Sequence, residues 1–211
     1  MSNLYYIAIE GVIGAGKTSL AKLIAKRMNA MTVLENPEEN PFLADFYRDQ
    51  ARYAFQTQIF FLLSRFKQQQ DFPKPDLFHK HIIADYFFPK DRIFAAMTLS
   101  DSELKLYETI VNLLEPRVPI PDLVIYLQSS TERLLHNIRI RGIDYELEIT
   151  DEYLGELNEA YNHYFLNYKA TPLLVVKSDN IDFVKNQEHF ADLLKKIEHP
   201  VQGTQFYNPA V

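Results

Sequence analysis

Short apolar runs alternate along the chain with longer stretches in which apolar residues return every three or four positions. These are the two periods of buried strands and amphipathic helices. Tyr5-Tyr6-Ile7-Ala8-Ile9-Glu10 is the first run, aromatic and β-branched as in a strand covered on both faces. Behind it Leu20, Leu23, Ile24 and Met28 recur at helical spacing, with Lys22, Lys26 and Arg27 between them. Met31-Thr32-Val33-Leu34 predicts a second strand, closed by Glu35 and by the turn that Asn36-Pro37 forces. A short helix is predicted from Asn40 to Asp49, with Asn40 as cap and Pro41 at its first position. A longer one is predicted from Arg52 to Gln70, where Phe55, Ile59, Leu62, Leu63 and Phe66 make a broad apolar face before Pro73 and Pro75.

The third strand is His81-Ile82-Ile83-Ala84-Asp85, apolar until its last residue, followed by helices over Phe88–Met97 and Glu103–Leu114. Pro116, Pro119 and Pro121 separate these from a fourth strand, Leu123–Leu127. Ser130 then caps a helix through Leu134, Leu135 and Ile138 that ends near Gly142. After a polar segment come a helix over Thr150–Tyr168, a fifth strand over Leu173–Val176 and a last helix over Phe190–Ile197. Pro200–Val211 has no period and reads as a loose tail. The pattern predicts an α/β fold: a five-stranded, doubly wound parallel sheet flanked by helices, with one domain over 1–199 and the tail over 200–211. Such sheets bind ligands beyond the carboxyl ends of their strands. Glu35, Asp85 and the loop after the first strand each follow a strand directly, so they are expected to face one crevice.

That loop carries chemistry. Gly11-Val12-Ile13-Gly14-Ala15-Gly16-Lys17-Thr18, continued by Ser19, fits G-x-x-x-x-G-K-[ST] and stands between a predicted strand and a predicted helix, the context the motif requires. Its glycines let successive N–H groups point at a phosphate at a helix N-terminus. Lys17 is placed to sit on the β- and γ-phosphates, and the Thr18 hydroxyl to hold Mg²⁺. An ATP site with magnesium is expected.

Composition narrows the partners. The 211 residues are 47% hydrophobic and 24% charged, ordinary for a folded domain. A net charge of −6 offers no electrostatic footprint for nucleic acid or an anionic membrane. There is no cysteine, which excludes disulfides and thiolate metal sites. No basic region and apolar signal core precedes the first strand. No apolar run approaches the ~20 residues that span a bilayer, so a cytoplasmic protein is expected.

Other polar residues carry two readings each. Glu35 is either a group that takes or orients the proton of an attacking hydroxyl or a solvated carboxylate beside Glu38 and Glu39. Asp85 either supports Mg²⁺ or caps the following helix. Arg139 and Arg141 either belong to a lid that closes on transferring phosphates or complement a helix dipole. Gln56 is either a reader of a base edge or a satisfied core amide, and Asp91-Arg92 is either part of a site or a surface ion pair.

Taken in order, the segments Glu10–Thr18, Glu35-Asn36-Pro37, Asn40–Tyr47, Phe55-Gln56, Asp85-Tyr86 with Asp91-Arg92, and Arg141-Gly142 with Glu146 resemble the deoxynucleoside kinase family. The likeness is strongest to its bacterial deoxyadenosine/deoxyguanosine kinase branch and runs from roughly Tyr6 to Phe183. The resemblance implies a P-loop kinase with an arginine-bearing lid that phosphorylates the 5′-hydroxyl of a purine deoxynucleoside in nucleotide salvage, and it implies a homodimer. It gives Glu35 the 5′-hydroxyl proton and gives Tyr47 and Glu146 the 3′-hydroxyl. It assigns Gln56 and Asp91 to the base, Asp85 to the surroundings of Mg²⁺, Arg141 to the lid, and Asp182-Phe183 to the adenine of ATP. Two positions depart from the family pattern. Tyr86 stands for a motif arginine that contacts substrate, so another cation must serve the 5′-oxygen. Ile143 stands for a second lid arginine, with Arg139 left to compensate. The residues alone also admit a thymidylate-like nucleoside monophosphate kinase or a non-enzymatic nucleotide switch.

Overall fold

The computed structural model describes residues 4–72, 80–179, 181–183 and 186–208. The first apolar run becomes β1 (Tyr6–Gly11), buried along its whole length. The others are β2 (Met31–Val33), β3 (Ile82–Ala84), β4 (Leu123–Gln128), β5 (Leu173–Lys177) and β6 (Thr204–Tyr207). All pair in parallel, in the order β2-β3-β1-β4-β5-β6. The sheet therefore has six strands where five were expected. The extra strand, β6, lies in the segment read as a loose tail and pairs Leu173 with Thr204 and Val176 with Tyr207. It is a short edge strand of which only Tyr207 is buried, so it carries almost no apolar signal.

The helices are α1 (Lys17–Met28), α2 (Leu43–Arg48), α3 (Gln50–Gln70), α4 (Asp91–Thr98), α5 (Asp101–Leu114), α6 (Thr131–Arg141), α7 (Asp151–Leu166) and α8 (Gln187–Glu198). Their ends follow local chemistry. Ser130 accepts from Arg133 N–H at 3.3 Å to start α6, and Gly142 closes it in the left-handed conformation. Ser100 and Glu103 form a capping box on α5. Two starts fall three residues later than expected. α2 begins at Leu43, although Asn40 makes the capping contact expected of it: its Oδ1 accepts from Phe42 N–H at 3.1 Å, and its Nδ2 donates to the Thr57 carbonyl at 3.2 Å. The helix expected from Phe88 opens as a 3₁₀ turn, Phe88–Lys90, and becomes α4 only at Asp91. Pro73 and Pro75, expected to end α3, lie outside the described residues, and the helix stops at Gln70.

One apolar core fills the space between sheet and helices, and a smaller cluster of Leu62, Phe88, Ala95, Tyr107 and Val111 joins α3, α4 and α5. β1 and β4 are neighbours whose onward connections leave to opposite sides of the sheet. Sheets of this kind open their ligand crevice at that switch point. Among the described residues, no helix is long and apolar enough to cross a membrane.

Candidate active site

A cleft of about 860 Å³ opens at the carboxyl ends of β1, β2 and β3. Its floor is the loop after β1, with Ile13 to Ser19 on the wall. Gly14 has φ 85°, and a Cβ there would stand 2.7 Å from the Leu134 carbonyl oxygen, so the position admits glycine alone. Asn137 on α6 holds the same residue by donating to the Gly14 carbonyl at 2.8 Å. Gly11 and Val12 lie behind the wall, where their carbonyls accept from Lys17 Nζ at 2.8 and 3.2 Å. The Lys17 pKa is lowered, first by burial and then by the Lys90 ammonium, against the pull of Glu10, Glu35 and Asp85.

The register that pairs Val33 with Ala84 sets the next two acids side by side. Asp85 Oδ2 accepts from the Thr18 hydroxyl at 2.5 Å, and its Oδ1 accepts from Glu35 N–H at 2.7 Å. One carboxylate thus ties the phosphate loop to the end of β2. The Glu35 side chain lies between two buried cations. Arg65 Nε donates to Oε1 at 2.9 Å and Lys90 Nζ to Oε2 at 3.1 Å. Burial alone would raise the Glu35 pKa, but Arg65 and then Lys90 outweigh it and hold the carboxyl well below the usual range.

α3 supplies the inner wall and corrects the sequence reading. Gln56 is exposed and off the cleft, whereas Gln58 is 3% exposed and lines it. Two helical residues point about 200° apart, so the choice of glutamine is a choice of face. The buried stripe of α3 is Ala54, Thr57, Gln58, Leu62, Arg65 and Gln69, largely polar, while Leu63 of the expected apolar face is 48% exposed. Arg65 lies over the Phe61 ring, 4.5 Å from its centroid, and pairs with Asp91. Asp91 is buried behind Arg65 and does not line the cleft. Arg92 pairs with Glu108 on α5 and with Glu115 in the 3₁₀ turn that follows it, away from the site. Tyr86 is fully buried in the core and off the cleft wall.

Tyr47 on α2 and Glu146 meet across the opposite wall. Glu146 sits in a 3₁₀ turn, Asp144–Glu148, and pairs with Arg141 at 2.6 Å. Burial raises its pKa against the lowering effect of Arg141. Tyr145 stacks on Tyr47, centroids 6.1 Å apart and planes 6° off parallel, which joins the lid to α2. Of the two candidate lid arginines, Arg141 lines the cleft and Arg139 does not. Arg133, Asn137, Ile140 and Arg141 share the cleft face of α6, and Arg139, two residues from Asn137, is exposed away from it. Ile143, Asp182 and Phe183 border the outer end with Ser178 and Ile181.

The structure therefore brings Ile13 to Ser19, Glu35, Tyr47, Asp85, Arg141, Glu146, Asp182 and Phe183 to one cleft, and leaves Gly11, Val12, Gln56, Tyr86, Asp91 and Arg139 off its wall. It adds Gln58, Arg65, Lys90, Arg133 and Asn137. A signal for two of these is present in the sequence: Gln58 and Arg65 are two helical turns apart in an otherwise apolar stretch. Lys90 has no such signal.

A family model described as deoxynucleoside kinase matches residues 7–202. The chain is similar to the deoxyguanosine kinase of Bacillus subtilis, 39% identical over 90% of this chain and 94% of that protein. It is also similar to the deoxyadenosine kinase of Dictyostelium discoideum, 36% identical over 97% of this chain and 83% of that one. Among solved structures, the deoxyadenosine kinase of M. mycoides with bound dATP superposes with a TM-score of 0.77 at 30% identity, covering 90% of this chain and 99% of that one.

Proposed function

The chain belongs to the deoxynucleoside kinase family, and from that premise we propose that it transfers the γ-phosphoryl group of Mg·ATP to the 5′-hydroxyl of a purine deoxynucleoside. It is a kinase of nucleotide salvage that draws its phosphate from a nucleoside triphosphate. The purine preference is supported by the Bacillus subtilis and Dictyostelium discoideum relatives, both named for purine deoxynucleosides. The observation that carries the reading is Glu35, ionised between Arg65 and Lys90 at the junction of the phosphate loop and the side pocket.

The residues divide the work. The loop N–H groups and Lys17 receive the β- and γ-phosphates, and Phe183 and Asp182 border the adenine. Tyr47 and Glu146 hold the 3′-hydroxyl, while Gln58 and Arg65 meet the base edge, with Asp91 aiming Arg65 from behind. The 5′-hydroxyl proton passes to Glu35 as the bond from γ-phosphorus to the ADP oxygen breaks. A carboxylate held so far below neutrality is a weak base, so its main service is to orient the hydroxyl while Arg141 and Lys17 spread the charge. Thr18 and Asp85 present hard oxygens at the mouth of the loop. That donor set suits Mg²⁺, which takes one or two protein ligands besides phosphates and water and would neutralise charge on the phosphate oxygens.

Both cations of the acceptor pocket, Arg65 and Lys90, are already paired with carboxylates. That suits an uncharged sugar hydroxyl better than an acceptor bearing its own phosphate. Association as a homodimer is supported by exposed apolar residues on two packed helices, Leu63 on α3 with Leu106 and Leu113 on α5. Light scattering on the purified chain tests it. For the reaction, ADP release is measured from Mg·ATP with each deoxynucleoside and each deoxymonophosphate. Turnover with deoxyadenosine or deoxyguanosine, cut by a large but measurable factor in Glu35→Gln while ATP still binds, is expected. Turnover of monophosphates alone would overturn the assignment.

A further inference from the structure

The charge beside Glu35 has a source that the phosphate loop and the lid do not supply. Lys90 ends the 3₁₀ turn after β3, is 3% exposed, and lines the cleft. Burying an ammonium is costly unless it is paired, and this one is gripped by two carboxylates. Its Nζ is 3.1 Å from Glu35 Oε2 and 3.5 Å from Glu10 Oε1. Glu10 does not depend on it for hydrogen bonds: it already accepts from Gly11 N–H and Phe87 N–H, each at 3.0 Å. Arg65 donates to the other oxygen of Glu35 from both Nε and Nη2, so each Glu35 oxygen has a cation of its own and Oε2 is the one that keeps a further lone pair free. The position where a cation was sought, residue 86, holds a fully buried tyrosine off the cleft wall.

We propose that Lys90 is the positioning cation of the reacting centre, fixing the Glu35 carboxylate by its Oε2 so that a remaining lone pair meets the acceptor hydroxyl. The role rests on the kinase reading above and falls to Lys90 because Tyr86 neither faces the cleft nor carries charge. Lys17 and Lys90 line the same cleft, so both ammonium charges face the site of phosphoryl transfer. Glu10 acts as the anchor: fixed on β1, it keeps the ammonium from following the Glu35 side chain toward solvent.

The test compares wild type, Lys90→Met, Lys90→Arg, Glu35→Gln and the Glu35→Gln/Lys90→Met double variant, with the wild type's turnover of a deoxynucleoside measured first. If the wild type turns over no deoxynucleoside, the kinase reading fails before Lys90 is reached. Lys90→Met is expected to lose about 100-fold in kcat, the scale of a misplaced catalytic group, with the KM for ATP within about threefold. Lys90→Arg is expected to regain about tenfold of that loss, and the double variant to be no slower than Glu35→Gln, because the two residues act as one unit. A folded Lys90→Met with near-normal kcat overturns the proposal. So does a double variant whose losses multiply, since Lys90 would then act without Glu35. If Lys90→Met does not fold, Lys90→Gln in the same comparison decides by the same outcomes.

Discussion

Replacing Arg65 by methionine keeps an unbranched apolar stem and removes the one cation shared by Glu35 and Asp91. Side-chain exposures are 6% for Arg65, 15% for Glu35 and 2% for Asp91, so water cannot take over the guanidinium's part. Glu35 keeps Lys90; Asp91 is left buried without a counter-charge. Breaking a buried pair from one side costs about 3–5 kcal/mol. An independent route gives a similar figure: Asp91 can escape its charge by binding a proton, and from an ordinary pKa of about 3.9 this costs about 4 kcal/mol at pH 7. For a chain of this size each kcal/mol is worth about 2–4 °C, so the midpoint should fall by about 6–20 °C. The assay is thermal and urea unfolding by circular dichroism at fixed protein concentration. Asp91→Asn in the Arg65→Met background should return most of the loss, and the single variant should be less impaired at pH 5 than at pH 7. A midpoint within about 2 °C of wild type, or no recovery in the double variant, would refute the reasoning.

Three further outcomes follow from the same geometry. Gln58→Ala should raise the KM for the deoxynucleoside about 5- to 150-fold, the worth of a buried hydrogen bond of about 1–3 kcal/mol, with the KM for ATP unchanged. Gln56→Ala, exposed off the cleft, should leave steady-state kinetics unaltered; the reverse order would restore Gln56 to the site. Gly14→Ala should destabilise more than Gly16→Ala in a thermal melt. Both residues have positive φ, worth about 1–2 kcal/mol of strain, but only at Gly14 would the new Cβ strike a backbone carbonyl, since nothing lies within 4 Å at Gly16. Finally, the folded Glu35 carboxyl is held below its unfolded pKa of about 4.3. Its contribution to stability is therefore complete above that pH and lost as pH falls toward the folded pKa. Urea unfolding at a series of pH values should show wild type losing more stability than Glu35→Gln below about pH 4.3, and equal slopes would contradict the ion-pair assignment.

Legibility in the sequence followed the range of the interactions. The phosphate loop was readable because its function is a backbone conformation set by eight consecutive residues and their flanks. Glu35 and Asp85 were readable because each follows closely on a strand, half-buried β2 and fully buried β3, and a parallel sheet delivers all such ends to one edge. Ser130 and Gly142 marked α6 for the same local reason. What was not readable was direction. α3 carries apolar residues on nearly every side, so its period could not say that the buried stripe is the polar one, with Gln58 and Arg65 in place of Gln56. On α6 it could not prefer Arg133 over Arg139, since both are arginines on a helix whose partners are distant in sequence. β6 escaped because an edge strand with one buried residue leaves little apolar trace. The sequence by itself determined which backbone segments form and which end of the sheet is chemical. Only the tertiary structure decided which face of each helix looks into the cleft, and hence that Arg65 and Lys90 enclose Glu35. That choice depends on burial against elements up to 55 residues away, and no local period records it.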